Sequence, residues 1–479
     1  MLFPSLKEKE KHLYYNAHFI AVVAKLPILR QGLFMFKKIM PLSAILSLRF
    51  LGLFLVLPVL SVYAMGMEGA TPLLVGIIVG GYALTQALFQ VPFGTISDKI
   101  GRKPTLFVGL LIFLAGSVIA AVSTDIYTLM LGRFLQGAGA IGAVVTAMIS
   151  DLVPEEVRGK AMAMMGGTIA ISFAVAMGLG PVLGAAYGVD FLFWATAGLA
   201  LVAMALLFTK VPTPPRIRHI YHNSTRTSDI LKDPNLLGMI IINGMQKGLM
   251  TIAFVLIPLI MTDSLADGGF GWEKSELWMV YLPAMVFGLI AMGPAAVFGE
   301  KHNKAKQIFL VSIVLFIAAF VLMGYATSPI LFIIGVVSFF IGFNMMEPLV
   351  QSLISKYAKV HQKGAALGIS NSVSYFMTFV GGTFAGLMLD ISDRHSMGML
   401  LGIIGAIWLI MTAIKLSNPA KHSHLFKHIG EVDMQKLEDL EHDAIAEWYI
   451  NETEDLVVVK YRSDDIDEET ILAKILKTH

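Results

Sequence analysis

The chain has no cysteine in its 479 residues, which removes disulfide frameworks, thiolate metal sites, iron–sulfur clusters and cysteine nucleophiles together. Charge is scarce as well. Asp, Glu, Lys and Arg make up only 15% of residues against 56% hydrophobic, and no soluble fold has enough polar surface to cover so much apolar material. The formal net charge of +2 is too small for the basic footprint that nucleic acid requires. Also missing are a Walker A loop, H-E-x-x-H, G-x-S-x-G and a carboxylate pair suited to acid–base catalysis in a soluble pocket. These absences describe a protein that is not an enzyme, needs no cofactor and no metal, and is driven by ions instead of ATP hydrolysis.

What is present is a succession of apolar runs of the roughly 20 residues that cross a bilayer as helix. They begin near Leu42, Leu73, Thr105, Ile126, Ala161 and Phe191, and again near Leu236, Leu277, Ile308, Ile330, Ala365 and Met397. The runs are continuous and do not alternate, so the expected fold is all-α in the membrane and not a barrel. Basic residues such as Lys99, Arg102, Lys103, Arg158, Lys160, Lys301, Lys356 and Lys363 fall in every second loop. The alternate loops hold only Lys274 and Arg394 and carry Glu68, Asp125, Asp190, Asp263, Glu273, Asp390 and Asp393 instead. The positive-inside rule then places the basic loops and both termini in the cytoplasm.

The organisation follows from composition. Residues 1–40 are an N-terminal extension, read either as an interfacial amphipathic helix or as sequence upstream of a true start at Met40. Residues 41–210 and 236–417 are two six-helix bundles, separated by the polar, basic, proline-bearing linker 211–235. Two equal halves are what a transporter needs to hold a substrate site at the midplane between them. Residues 418–479 change to the composition of a soluble module. A strand near Leu425 to Ile429, a helix from Met434 to Leu440, an alternating stretch from Ala444 to Ile450, a strand from Leu456 to Tyr461 and a helix from Asp467 to Leu476 give the order βαββα. That order predicts a small α+β ferredoxin-like domain.

Four ionisable residues fall inside spans: Arg49, Arg133, Lys247 and Glu347. Each costs about 2.5–3.5 kcal/mol or more at mid-bilayer, so each should face a cavity or a partner. Glu347 lies nine positions before Lys356, about 13 Å along a helix and hence near mid-membrane. It is a candidate for proton or substrate coupling, or for a structural pair with Lys247 or Asn243. Arg133 is open to the same two readings, and Arg49 and Lys247 are candidates for the same proton or substrate coupling.

The loop after the second span reads Gly94, Thr95, Ile96, Ser97, Asp98, Lys99, Ile100, Gly101, Arg102, Lys103, Pro104. Asp98 and Arg102 stand one helical turn apart and can pair. This segment resembles the G-x-L-x-D-R-x-G-R-[RK] signature of the major facilitator superfamily. Within it, the segments Ser47 to Pro58, Leu131 to Gly139 and Phe343 to Glu347 are similar to the YajR-type efflux transporters of bacterial inner membranes, which carry a C-terminal ferredoxin-like domain. The resemblance implies a conformational latch of Gly94, Asp98, Gly101, Arg102 and Lys103, with Asp151 as partner of Arg102, closing against the eleventh span when the transporter faces outward. The fifth span carries Gly167, Ala176, Gly180, Pro181 and Gly184, close to the family's antiporter motif with alanine at two glycine positions. It reads as leak-preventing packing or as ordinary small-residue packing. The expected function is proton-coupled antiport that exports small amphipathic compounds or drugs across the cell inner membrane; the alternative is uptake of a metabolite by symport. Expected partners are the substrate, protons and the bilayer, with no nucleic acid, and the tail domain is a place for a ligand of its own.

Overall fold

The apolar runs become helices because lipid offers their backbone no hydrogen bonds, so each segment must satisfy its own. Several starts are fixed by local chemistry. Thr71 Oγ1 accepts from Leu74 N and Ser328 Oγ from Leu331 N, each followed by proline at the first helical position. Asp125 caps Tyr127 and Thr128, and Asp233 caps Asn235 and Leu236 ahead of Pro234. Such caps supply acceptors to amides that have no partner in the first turn.

The computed structural model describes residues 27–213, 227–265, 268–358, 363–416, 422–440, 444–452, 454–462 and 465–476. Among these, 12 helices are long and apolar enough to cross a membrane: Ile39–Met65, Pro72–Ile100, Arg102–Ala121, Ile126–Leu152, Lys160–Tyr187 and Val189–Thr209, then Pro234–Thr262, Lys274–Glu300, Ala305–Tyr325, Pro329–Tyr357, Gly364–Ile391 and Arg394–Lys415. The first belongs to a longer helix, Pro27–Met65, so helical backbone runs through Met40 without a break. Residues 1–26 and 214–226 lie outside the described residues, and with them parts of the expected extension and linker. The fourth span is two helices, Ile126–Ala138 and Gly142–Leu152, interrupted where Gly139 lies so close to the Gly109 carbonyl that a Cβ has no room.

The two halves repeat one packing scheme. The first span packs on the fifth, the second and third on the fourth, and the third on the sixth. In the second half the seventh packs on the eleventh, the eighth and ninth on the tenth, and the ninth on the twelfth. We call the end of the bundle with Lys99, Arg158 and Lys356 the basic end, and the end with Asp125, Asp190 and Asp390 the acidic end.

The tail forms a three-stranded antiparallel sheet of β1 (His422–His428), β2 (Ile445–Asn451) and β3 (Leu456–Arg462) in the order β1-β3-β2, with helices Met434–Glu438 and Glu468–Ile475. The βαββα order is as expected, with β1 beginning three residues earlier than the apolar pattern suggested. Val457, Val459 and Tyr461 face the domain's own core with Leu437, Ile471 and Ile475. The other face of β3 carries Leu456, Val458 and Lys460, also buried, and it is turned toward the membrane bundle.

Candidate transport site and its gates

The turn between the second and third spans is made by Gly101, whose φ of +104° suits a residue without Cβ. It folds Arg102 back over the end of the second span. Arg102 Nη1 lies 2.6 Å from Asp98 Oδ1 and donates to Ser97 Oγ at 2.6 Å, while Nε donates to Asp151 Oδ2 at 2.9 Å. The expected trio of Asp98, Arg102 and Asp151 is therefore assembled inside the first half. Gly94 is loosely packed, since a Cβ there would meet only the Ala143 methyl at 3.9 Å. Lys103 follows on the first turn of the third span.

Contact between the halves concentrates at the acidic end. Gly76 and Gly80 of the second span lie on Gly382, Gly386 and Phe379 of the eleventh, backbone against backbone. Ser61 Oγ donates to Phe254 O across the first and seventh spans at 3.4 Å, and Gly178 of the fifth meets Leu282 of the eighth. Toward the basic end, Gly166 and Gly167 of the fifth span and Gly364 and Gly368 of the eleventh have open space beside them. The second and eleventh spans are thus in close backbone contact toward the acidic end, while the halves leave open space toward the basic end. In the antiporter-like motif, Gly180 abuts the Leu55 carbonyl and Gly184 packs on Val59 of the first span, with Pro181 buried between them. Gly167 takes no part in that packing.

The four intramembrane ionisable residues fall into two unlike groups. In the second half, Glu347 accepts from Lys247 Nζ at 2.9 and 2.7 Å and from Gln246 Nε2 at 3.0 Å. The ammonium also lies 4.8 Å from the Phe343 ring centroid. Asn243, the other partner considered for Glu347, bonds Ser370 instead. The carboxylate is 39% exposed despite its mid-span position, because it borders the cleft.

The first-half group contains no acid. Arg49 Nη2 donates to Gln86 Oε1 at 3.0 Å and to Gln136 O at 3.4 Å. Arg133 Nη1 donates to Gln136 Oε1 at 2.7 Å and Nε to Ile78 O at 3.3 Å, and Gln136 Nε2 donates to Ser117 Oγ at 3.0 Å. Both guanidiniums sit over aromatic faces, Arg49 on Phe113 at 5.3 Å and Arg133 on Tyr82 at 4.8 Å. Delocalised charge, glutamine acceptors and ring quadrupoles replace a carboxylate partner. Arg133 thus faces neither an acid nor the cleft, the two surroundings expected of it. Sequence reading singled out Gln136 only as part of the motif Gly132-Arg133-x-x-Gln136-Gly137 and missed Gln86 and Gln246; an amide in an apolar run is the signal that would have found them, since it too needs a buried partner.

The tail domain touches both halves at the basic end. Lys460 Nζ donates to Lys356 O at 3.0 Å and Ala358 O at 3.3 Å, at the carbonyl terminus of the tenth span, where the helix dipole favours a cation. Arg158, at the start of the fifth span, pairs with Glu454 at 3.1 Å. Burial holds the Lys460 ammonium below the ordinary lysine value.

The family model of the Major Facilitator Superfamily matches residues 42–265 and 236–457. The chain is a member of this superfamily. It is 37% identical over 433 residues to the inner membrane transport protein YajR of Escherichia coli, covering 88% of this chain and 93% of the relative. It is 27% identical to the quinolone resistance protein NorA of Staphylococcus aureus, covering 77% and 94%. The solved structure of the nucleoside transporter NupG superposes with a TM-score of 0.63 at 14% identity, covering 79% of this chain and all of that one, a likeness of fold alone. Membership makes the chain a multi-pass membrane transporter and not an enzyme. It also gives the two half-bundles their meaning, because alternating access is a rocking of such halves about a site between them.

Proposed function

We propose that the protein is a proton-coupled antiporter that exports small amphipathic compounds from the cytoplasm across the inner membrane. The observation that carries this reading is Glu347. It is a carboxylate near the middle of the tenth span, bonded to Lys247 and Gln246 and bordering a cleft between the halves. A proton on Glu347 releases Lys247, so protonation is read directly as a change of bonding in the site. The positive-inside rule supports reading the basic end as cytoplasmic, and with it this state as the inward-facing one, ready to load from the cytoplasm. Asp98, Arg102 and Asp151 are preassembled for closing that side, with the eleventh span as their surface. Close packing of Gly180 and Gly184 on the first span supports export, as does the quinolone resistance named for the relative from Staphylococcus. The tail domain, joined to both halves by Lys460 and Arg158, acts as a regulator of the cycle.

The test is pH-gradient-driven export in inverted vesicles. Glu347→Gln keeps the shape but carries no exchangeable proton, so gradient-driven export is lost while substrate binding stays measurable. An unchanged pH dependence in that variant excludes Glu347 as the coupling site.

A further inference from the structure

Glu347 and Lys247 belong to the second half, whereas Arg49 and Arg133 belong to the first, and coupling requires that one half register the state of the other. Among the described residues, one side chain of the second half packs against the first-half core. The first-half core around Leu42, Phe113 and Val145 is built from residues up to Val211, with one exception, Tyr375 of the eleventh span. Gln351 Nε2 of the tenth span donates to Asn371 Oδ1 of the eleventh at 3.1 Å, and one helical turn further along these antiparallel helices Glu347 and Tyr375 come to the same level, with Gln86 and Arg49 as the first-half neighbours of the phenol.

Two further observations give this placement a purpose. Arg49 is 1% exposed and Gln86 is fully buried, yet Arg49 Nε and Nη1 and Gln86 Nε2 have no hydrogen-bond acceptor within bonding distance. Buried donors of this kind are costly until an acceptor reaches them. Tyr375 also stands one helical turn from Phe379, where the closed seam between Gly80 and the eleventh span ends and the cleft begins. Because Tyr375 is on the second half and Gln86 and Arg49 on the first, rocking of the halves would change the distance between them.

We infer that Tyr375 is a positioning residue for coupling: its hydroxyl is the acceptor that the Arg49–Gln86 donors take up as the basic side closes, and so links closure to the charge on Glu347. The ring fixes the approach and the hydroxyl makes the link. An ionised Glu347 holds the phenol proton toward itself, leaving the oxygen lone pairs for the first-half donors. A protonated Glu347 does not, and the link weakens. This rests on the reading of Glu347 as the coupling carboxylate.

The experiment compares Tyr375→Phe, Glu347→Gln and wild-type full-length protein in inverted vesicles, with ethidium as probe. Initial rates are followed from pH 5.5 to 8.5, and apparent affinity is measured separately by dye binding. Tyr375→Phe retains the ring, so dye affinity should stay within about twofold while the gradient-driven rate falls at least tenfold and its pH profile flattens. Gln86→Leu, which removes the donor instead, should flatten the profile in the same way. Should either variant be poorly folded, binding reveals it, and the remaining one decides. If Glu347→Gln uncouples export but both other variants keep the wild-type pH profile, Tyr375 has no positioning role and the inference fails alone. If Glu347→Gln itself keeps the wild-type profile, the coupling reading fails and takes this inference with it. A rate loss with an unshifted pH profile in Tyr375→Phe assigns the residue to packing and likewise overturns the proposal.

Discussion

Gly80→Ala should push the transporter away from the state described here. A methyl on Gly80 would lie 2.9 Å from both Phe379 Cα and Thr378 O, and 3.2 Å from Phe379 O. These are backbone atoms, so no rotamer change relieves the clash, and the second and eleventh spans must separate by roughly half an ångström or more to reach ordinary contact. Overpacking of this kind costs about 1–3 kcal/mol. It is paid only while the acidic end is sealed, because opening that end parts the two spans. At about 1.4 kcal/mol per tenfold, the population open to the acidic side should rise roughly 5- to 150-fold. The absence of native cysteine makes the assay clean. Thr251 is 2% exposed and its methyl would be 3.2 Å from a Cβ on Gly382, beneath the seam, so Thr251→Cys reports opening through its labelling by a membrane-impermeant maleimide added at the acidic face. Labelling should accelerate in the Gly80→Ala background and stay unchanged with Gly198→Ala, a glycine with open space around it. Equal labelling rates with and without Gly80→Ala, at equal expression, would refute the argument that this seam is the gate.

Further outcomes follow from the other contacts. Asp98→Asn removes one of the two acids on Arg102 and should slow export without affecting insertion; full activity at normal expression counts against a latch. Replacing Arg158 and Glu454 singly and together should reveal a coupling of about 1 kcal/mol in tail docking, as expected for a partly buried ion pair, and strict additivity would mean that the pair is idle. Because desolvation lowers the Lys460 pKa from the ordinary 10.5, the undocked tail binds that proton more tightly. Docking should strengthen as pH rises toward 10.5, and a spin-label distance between tail and tenth span that lengthens over that interval would contradict this. Residues 420–479 alone should give dispersed NMR spectra, since Val457, Val459 and Tyr461 have a core within the domain; random-coil shifts would deny it independence.

Much of this protein was legible without coordinates. Span number, span position and the helical choice depend on apolar length and on backbone bonding in lipid, both local properties of the chain, so Leu73, Ile126 and Ile330 marked their spans to within a few residues. Asp98 and Arg102 were legible as a pair four residues apart, although it is the Gly101 turn between two helices, and not one continuous helix, that brings them together; the tail's βαββα order followed from period and capping. Partner choice was not. Nothing in the linear order distinguishes Lys247 from Asn243 as the neighbour of Glu347, or says that Arg49 and Arg133 share glutamines instead of acids. Those pairings join residues up to about a hundred positions apart and depend on which helix faces meet. Glycines divided in the same way: Gly101 declares its turn locally, whereas Gly76 and Gly167, equally small, differ only because the eleventh span lies against one and nothing lies against the other. The sequence by itself determined a twelve-span bundle in two halves with a small βαββα tail, since hydrophobicity and periodicity act along the chain. Only the tertiary structure decided which end is closely packed, which charges meet and that Tyr375 of the second half packs against the first-half core, since those depend on packing across the chain.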